Sequence, residues 1–213
     1  MTERLPTVFV VDDDASVRKG LLRLLKSAGY RPESCASAEE FLKRWERDPA
    51  PGCVLLDIQM PGLDGLQLQQ KLQACAVSIP IIFITGHGDI PSSVSAMKAG
   101  AVDFLPKPIH DEDLLRAVRE AIQQDRKERT ERAERDAVAE RFQTLTPRER
   151  EVMALVVRGM LNKQIAFSLG ASEKTVKIHR GRVMEKMKVS SVADLVRAAE
   201  KIDTIPGLPK PIE

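Results

Sequence analysis

Through the first 124 residues, short apolar runs alternate with amphipathic stretches. Thr7–Val11, Arg31–Cys35, Val54–Asp57, Ile81–Thr85 and Val102–Leu105 read as strands, and Ser16–Ser27, Ala38–Arg47, Gly65–Gln73, Ile90–Ala99 and Asp111–Gln124 read as helices. Runs such as Val8-Phe9-Val10-Val11 and Ile81-Ile82-Phe83-Ile84 are apolar at every position, which a strand tolerates only when both its faces are covered. The pattern therefore predicts five β/α units folded as a doubly wound α/β domain with a parallel sheet. In such sheets ligands gather at the carboxyl ends of the strands.

After Ile122 the pattern changes to Asp125-Arg126-Lys127-Glu128-Arg129-Thr130-Glu131-Arg132-Ala133-Glu134-Arg135-Asp136, without Gly or Pro. Opposite charges three and four residues apart support a solvated helix, so 125–144 is expected to be a helical linker running on toward Arg141. Too few apolar heptad positions follow Leu115, Val118 and Ile122 for a coiled coil. The remainder reads as four helices, Pro147–Arg158, Asn162–Leu169, Glu173–Met187 and Val192–Lys201. Thr146 is the natural cap of the first, with Pro147 at its first position and Glu149 completing a capping box. Gly170-Ala171-Ser172 gives the second and third helices the spacing of a helix-turn-helix. On a helical wheel Val176, Val183 and Met187 fall within about 40° of one another and form the inward face. Lys174, Lys177, Ile178, Gly181 and Arg182 fall elsewhere, and an exposed Ile among cations suits a DNA major groove, where it can meet a thymine methyl.

Charge follows this division. The net charge of +2 splits into −3 over residues 1–124, zero over 125–144 and +5 over 145–213. A polyanionic partner is thus expected for the last part alone. No run of about 18 uncharged apolar residues occurs, and Met-Thr-Glu-Arg-Leu-Pro lacks the pattern of a signal peptide, so a cytoplasmic protein without a membrane partner is expected. Cys35, Cys53 and Cys75 lack metal-type spacing and read as reduced packing residues.

The strand ends carry the chemistry. The first closes on Asp12-Asp13-Asp14, the third on Asp57-Ile58-Gln59-Met60-Pro61-Gly62, the fourth on Thr85-Gly86-His87-Gly88 and the fifth on Leu105-Pro106-Lys107-Pro108. Carboxylates gathered in one crevice repel unless protonated or bridged by a hard cation, and Mg2+ is expected, with Mn2+ able to substitute. The Lys107 ammonium and the Thr85 hydroxyl could then meet phosphoryl oxygens. Other uses of these residue types were weighed. Asp14 or Ser16 suits the cap of the first helix, Asp64-Gly65 suits a turn, and His87 has no partner at metal spacing and reads as a loop residue.

The acidic pair, the Asp-x-x-x-Pro-Gly loop from Asp57 to Gly62, the Thr-Gly pair and Lys107-Pro108, all in register, resemble the receiver domain of a two-component response regulator over about residues 6–124. That resemblance implies the strand order 2-1-3-4-5 and a cis Lys107-Pro108 bond. It implies that Asp57 takes a phosphoryl group from the phosphohistidine of a sensor histidine kinase, a nucleophilic transfer assisted by a metal. Asp13 and Asp57 would ligate Mg2+ directly, Asp12 mainly through water, and Gln59 through its backbone carbonyl. Thr85 and Phe104 would form the switch, Phe104 moving inward as Thr85 turns to the phosphoryl group. A Phe in place of the family's frequent Tyr removes a hydroxyl.

Residues 145–201, notably Leu-Thr-Pro-Arg-Glu-Arg-Glu-Val, Asn-Lys-Gln-Ile-Ala and Thr-Val-Lys-Ile-His-Arg, resemble the FixJ/NarL-type (LuxR-type) DNA-binding domain. By that resemblance Lys177 and Ile178 read base edges, and Lys163, Thr175, His179 and Arg182 contact phosphate, with Lys174 on the same surface. Gly181 stands where relatives carry a longer side chain, which leaves nothing to reach a base from that position. The expected organisation is a receiver at 1–124, a linker at 125–144, a DNA-binding domain at 145–201 and a flexible tail at 202–213. The expected protein is a regulator of transcription, an activator that dimerises on promoter DNA when phosphorylated and meets RNA polymerase, rather than an enzyme beyond its own phosphoryl transfer and autodephosphorylation. Two rival readings remain. A Mg2+-dependent phosphatase is disfavoured because Ile58-Gln59 supplies no second carboxylate two positions after Asp57, and a regulator independent of phosphorylation is disfavoured by the full set of acceptor, metal and lysine residues.

Overall fold

The computed structural model describes residues 5–47, 51–75, 77–86 and 96–202. The chain divides into two compact units, Met1–Arg129 and Thr130–Glu213.

The first unit is built on strands β1 (Thr7–Val11), β2 (Arg31–Cys35), β3 (Gly52–Asp57), β4 (Ile81–Thr85) and β5 (Asp103–Pro106), all parallel in the order β2-β1-β3-β4-β5. This is the doubly wound α/β sheet expected from the apolar runs. Its helices are α1 (Ala15–Ser27), α2 (Ala38–Arg47), α3 (Gly65–Ala74) and the first part of α4 (Asp111–Gln143). Alternating side chains divide the core between the two faces. Phe9 and Val11 pack with Phe41 and Trp45 of α2 and Leu68 and Leu72 of α3, while Val8 and Val10 pack with Leu21 and Leu25 of α1 and Leu114 and Val118 of α4. Both layers are needed because β1, β3 and β4 are buried along their whole lengths. Edge strand β2 tolerates Pro32, whose missing N–H costs no ladder bond on an open side. Phe9, Phe41 and Trp45 form an aromatic cluster with centroids 5.3–6.2 Å apart. Most of the helix expected at Ile90–Ala99 lies outside the described residues, as does His87.

Asp125, taken as part of a solvated face, is 2% exposed, and its Oδ2 accepts the backbone N–H of Gly52 at 2.9 Å while Arg129 Nε donates to both carboxylate oxygens at 2.9 Å. Gly52 is required there, since it sits at φ 153° and an added Cβ would come 1.8 Å from Thr7 O. The periodicity of 125–136 could not reveal this partner 73 residues earlier in the chain. Cys75 is exposed at the end of α3, whereas Cys35 and Cys53 are buried as packing residues. Burial pushes the Cys35 thiol up to about 11 and the Cys53 thiol up to about 12, which keeps both protonated.

The second unit contains the end of α4 with α5 (Pro147–Val157), α6 (Asn162–Leu169), α7 (Glu173–Met187) and α8 (Val192–Glu200). The Thr146–Glu149 capping box forms as expected, and buried Glu149 also receives Lys186 Nζ at 2.6 Å. Gly170 ends α6 in the left-handed conformation at φ 61°, and Ser172 caps α7. Val176, Val183 and Met187 turn inward onto Val152, Met153, Ile165 and Leu195. Val138 and Phe142 of α4 join this core, as does Ile202. Ile202 therefore does not belong to a flexible tail, and residues 203–213 lie outside the described residues.

Asp125→Ala should lower the stability of the first unit by about 1–3 kcal/mol, because it leaves the Gly52 N–H buried without an acceptor. Trp45 is the only tryptophan and sits in this unit's core, so its fluorescence during urea unfolding reports on that unit. An unchanged midpoint would show that the bond contributes nothing.

Candidate functional site

Strand register brings the chemistry together. Val11 pairs with Leu56, Asp57 with Ile84 and Thr85 with Pro106, so the strands run out at nearly one level. The residues at or just beyond those ends, Asp12, Asp13, Asp57, Thr85 and Lys107, are thereby delivered to one edge of the sheet. Asp12, Asp57 and Thr85 are buried and Asp13 is exposed. One oxygen from each of Asp12, Asp13 and Asp57 lies within 4.8 Å of the others. Lys107 Nζ donates to Asp57 Oδ2 at 2.6 Å and to Asp12 Oδ2 at 2.8 Å, and the Lys107 backbone N–H donates to Thr85 O at 2.7 Å. The Lys107-Pro108 bond is cis.

The remaining oxygens are held by the backbone. Asp12 Oδ1 accepts the Asp14 N–H at 2.8 Å, Asp57 Oδ1 accepts the Gln59 N–H at 3.1 Å, and Arg18 Nη1 donates to Asp12 O at 2.7 Å. Asp14 stands apart from this cluster as the α1 cap, accepting from Ser16 and Val17, and those two bonds hold its carboxyl below the ordinary value. Asp64 caps α3 reciprocally with Gln67. The next residue is constrained more tightly than turn chemistry suggested, since a Cβ on Gly65 would lie 2.4 Å from Asp57 O. Only glycine lets α3 start against the end of β3. Sequence reasoning missed the roles of Gly65 and Arg18. The Gly after Asp64 was a visible signal, but the clash that explains it is set in three dimensions.

Electrostatics follow from this geometry. Burial pushes the Asp57 carboxyl above its ordinary value, the Lys107 and Gln59 hydrogen bonds oppose that, and the Asp12 charge adds to it. Burial would pull the Lys107 ammonium down, but its bonds to Asp12 and Asp57 outweigh that and hold it above its ordinary value. The result is a cation fixed between two carboxylates, with a third at the surface. An all-oxygen donor set of this kind is compatible with a divalent metal ion. Phe104, opposite Phe83 on β4, is half-buried against the α2/α3 side of the core.

In the second unit, Lys163 on α6 and Lys174, Thr175, Lys177 and Arg182 on α7 are exposed. Ile178 is 50% exposed, which is unusual for an apolar side chain in a folded helix. The Thr175 hydroxyl lies 2.8 Å from Ser172 Oγ, the cap of α7. His179 is half-buried at the flank of the helix, and a Cβ on Gly181 would meet nothing within 4 Å. Arg180, not singled out from sequence, bonds Asn162 Oδ1 at 3.0 Å and ties α7 to the start of α6. Among the described residues no helix is long and apolar enough to cross a membrane.

Comparison with known proteins agrees with both units. Residues 8–119 match the response regulator receiver domain and residues 143–199 match the LuxR family of bacterial regulatory proteins. The chain is 49% identical over 195 residues to Nodulation protein W of Bradyrhizobium diazoefficiens, covering 92% of this chain and 86% of that one. It is 42% identical over 193 residues to the transcriptional regulatory protein FixJ of Rhizobium meliloti, covering 91% and 94%. Among solved structures, the response regulator StyR superposes with a TM-score of 0.83 at 48% identity, covering 93% of this chain and all of that one. With a receiver site at its sheet edge and a helix-turn-helix in its second unit, the chain belongs to the two-component response regulators that carry a LuxR-type DNA-binding domain.

Proposed function

We propose that this regulator is switched by phosphorylation of Asp57 and, once phosphorylated, dimerises and binds specific promoter DNA to activate transcription. The observation that carries the reading is the Lys107 ammonium held 2.6 Å from Asp57 Oδ2 beside the convergent oxygens of Asp12 and Asp13. In the transfer, an Asp57 carboxylate oxygen attacks the phosphorus of a kinase phosphohistidine. An O–P bond forms as the N–P bond breaks, and the histidine nitrogen leaves with the electron pair. Asp12, Asp13, Asp57 and the Gln59 carbonyl are the residues that would hold Mg2+ or Mn2+. When bound, the metal neutralises charge on the transferred group and its co-ligands. Lys107 holds a second positive charge at the same oxygens, and the Thr85 hydroxyl donates to a third.

The switch we infer is the pair Thr85 and Phe104. Phe104 already lies half against the core, so a small rearrangement at Thr85 would change the surface around β5. The receiver portion is 1–124, joined through the helical 125–144 to a DNA-binding portion at 145–201. On that portion Lys177 and Ile178 read base edges, Lys163, Thr175, His179 and Arg182 meet phosphate, and Lys174 lies on the same surface. The partners are a sensor histidine kinase, promoter DNA, a second copy of the chain and RNA polymerase. The same acyl phosphate is lost by autodephosphorylation.

Asp57→Ala should abolish labelling by radioactive acetyl phosphate, whereas retained labelling would sink the acceptor assignment. Lys177→Ala should weaken binding to a selected operator by about 1–3 kcal/mol while leaving random DNA little affected, as a bidentate base contact requires. Equal loss on both DNAs, measured by fluorescence anisotropy, would reassign Lys177 to phosphate.

A further inference from the structure

His179 lies midway along α7. Its Nδ1 is fully buried and has no hydrogen-bond partner among the described residues, although the ring as a whole is only half-buried. The helical wheel explains the split. His179 lies about 60° from Val176, at the margin of the inward face, on the side that also carries Thr175, Arg182 and Lys186. Of these neighbours, Lys186 is engaged by Glu149 and Thr144 O, while Thr175 and Arg182 face solvent. Nδ1 is thus covered while the rest of the ring stays partly open at the flank of α7.

We propose that His179 leaves Nδ1 bare and carries its hydrogen on Nε2, from which it donates to a DNA phosphate. A neutral imidazole has one N–H and one lone pair, and its surroundings choose between them. A hydrogen on Nδ1 would be a buried donor without an acceptor, and orphaned donors are rarer in folded proteins than under-satisfied acceptors. The hydrogen therefore sits on Nε2. Phosphate diester oxygens only accept hydrogen bonds, so the edge left outside the core is the one that matches them. The covering of Nδ1 thereby sets the direction of a contact on the surface. This inference rests on the reading of His179 as a phosphate contact, and deepens it by assigning the atom.

Two measurements on the full-length chain test it. Nitrogen-15 NMR at about pH 8.5, two units above the free side chain, distinguishes the tautomers directly. The chain has three histidines, and the His179 resonances are those missing from His179→Gln. Nδ1 should resonate as a bare ring nitrogen and Nε2 as a protonated one. In DNA binding, His179→Gln places an amide donor near the Nε2 position and should stay within about twofold of the parent. His179→Asn places one near Nδ1 and should lose roughly tenfold, as should His179→Ala. The loss should be alike on operator and random DNA, and thermal melting checks that each variant folds. A spectrum with Nδ1 protonated, or retained binding by the Asn variant with loss by the Gln variant, would overturn the proposal even with the phosphate role intact. Unchanged binding by the Ala variant would remove the phosphate role on which it rests, whichever tautomer the spectrum shows.

Discussion

The Lys107 ammonium bridging Asp12 and Asp57 is the interaction around which the receiver site is organised. Two buried carboxylates at the end of a sheet would repel each other and favour a proton, and the raised Asp57 value records that tendency. Lys107, just past the end of β5 and with β4 between it and the end of β3, counters it without an external ligand. It can do so because the β3, β4 and β5 register puts Asp57, Thr85 and Lys107 within two residues of one level. The same register requires close approach behind the site, where Gly65 lets α3 begin against the Asp57 carbonyl. Asp57 is thus fixed on one side by backbone packing and on the other by charge.

Much of this was legible from the chain because it rests on local rules. Short apolar runs mark the strands, and the strand-end positions mark Asp12, Asp13, Asp57, Thr85 and Lys107. Thr146, Pro147 and Glu149 marked the start of α5 for equally local reasons, as did Ser172 for α7. What escaped depended on contacts between distant segments. Asp125 has the surroundings of a solvated residue in sequence, yet it satisfies an N–H across the sheet. Cys75 sits in a helical pattern but on its outer side, and Ile202 follows a helix end but returns to the core. Gly65 looked like turn chemistry because a steric clash leaves no trace in residue order.

Helix α4 contributes to both units. Its first part closes the receiver core through Leu114, Val118 and Ile122 and anchors Gly52 through Asp125. Its last part supplies Val138 and Phe142 to the core of the second unit, where Arg150 lies 5.1 Å over the Phe142 ring and Lys201 pairs with Glu134 at 2.6 Å. One helix therefore contributes apolar side chains to two separate cores. Residues 126–137 between these contacts are charged and mostly exposed. In the second unit the inward face of α7 fixes the helix, so the outward residues, from Ile178 to Arg182, present a defined surface rather than a flexible one.

The central claim is that charge chemistry at Asp57 controls DNA binding by α7. The most direct test is quantitative footprinting on an operator selected from random DNA, titrated with and without acetyl phosphate in the presence of Mg2+. Control by phosphorylation predicts protection of paired half-sites at about tenfold lower protein concentration with the phosphodonor, within the usual range of coupling between sites. Superimposable titrations would contradict it and leave a DNA-binding protein whose receiver does not govern its output.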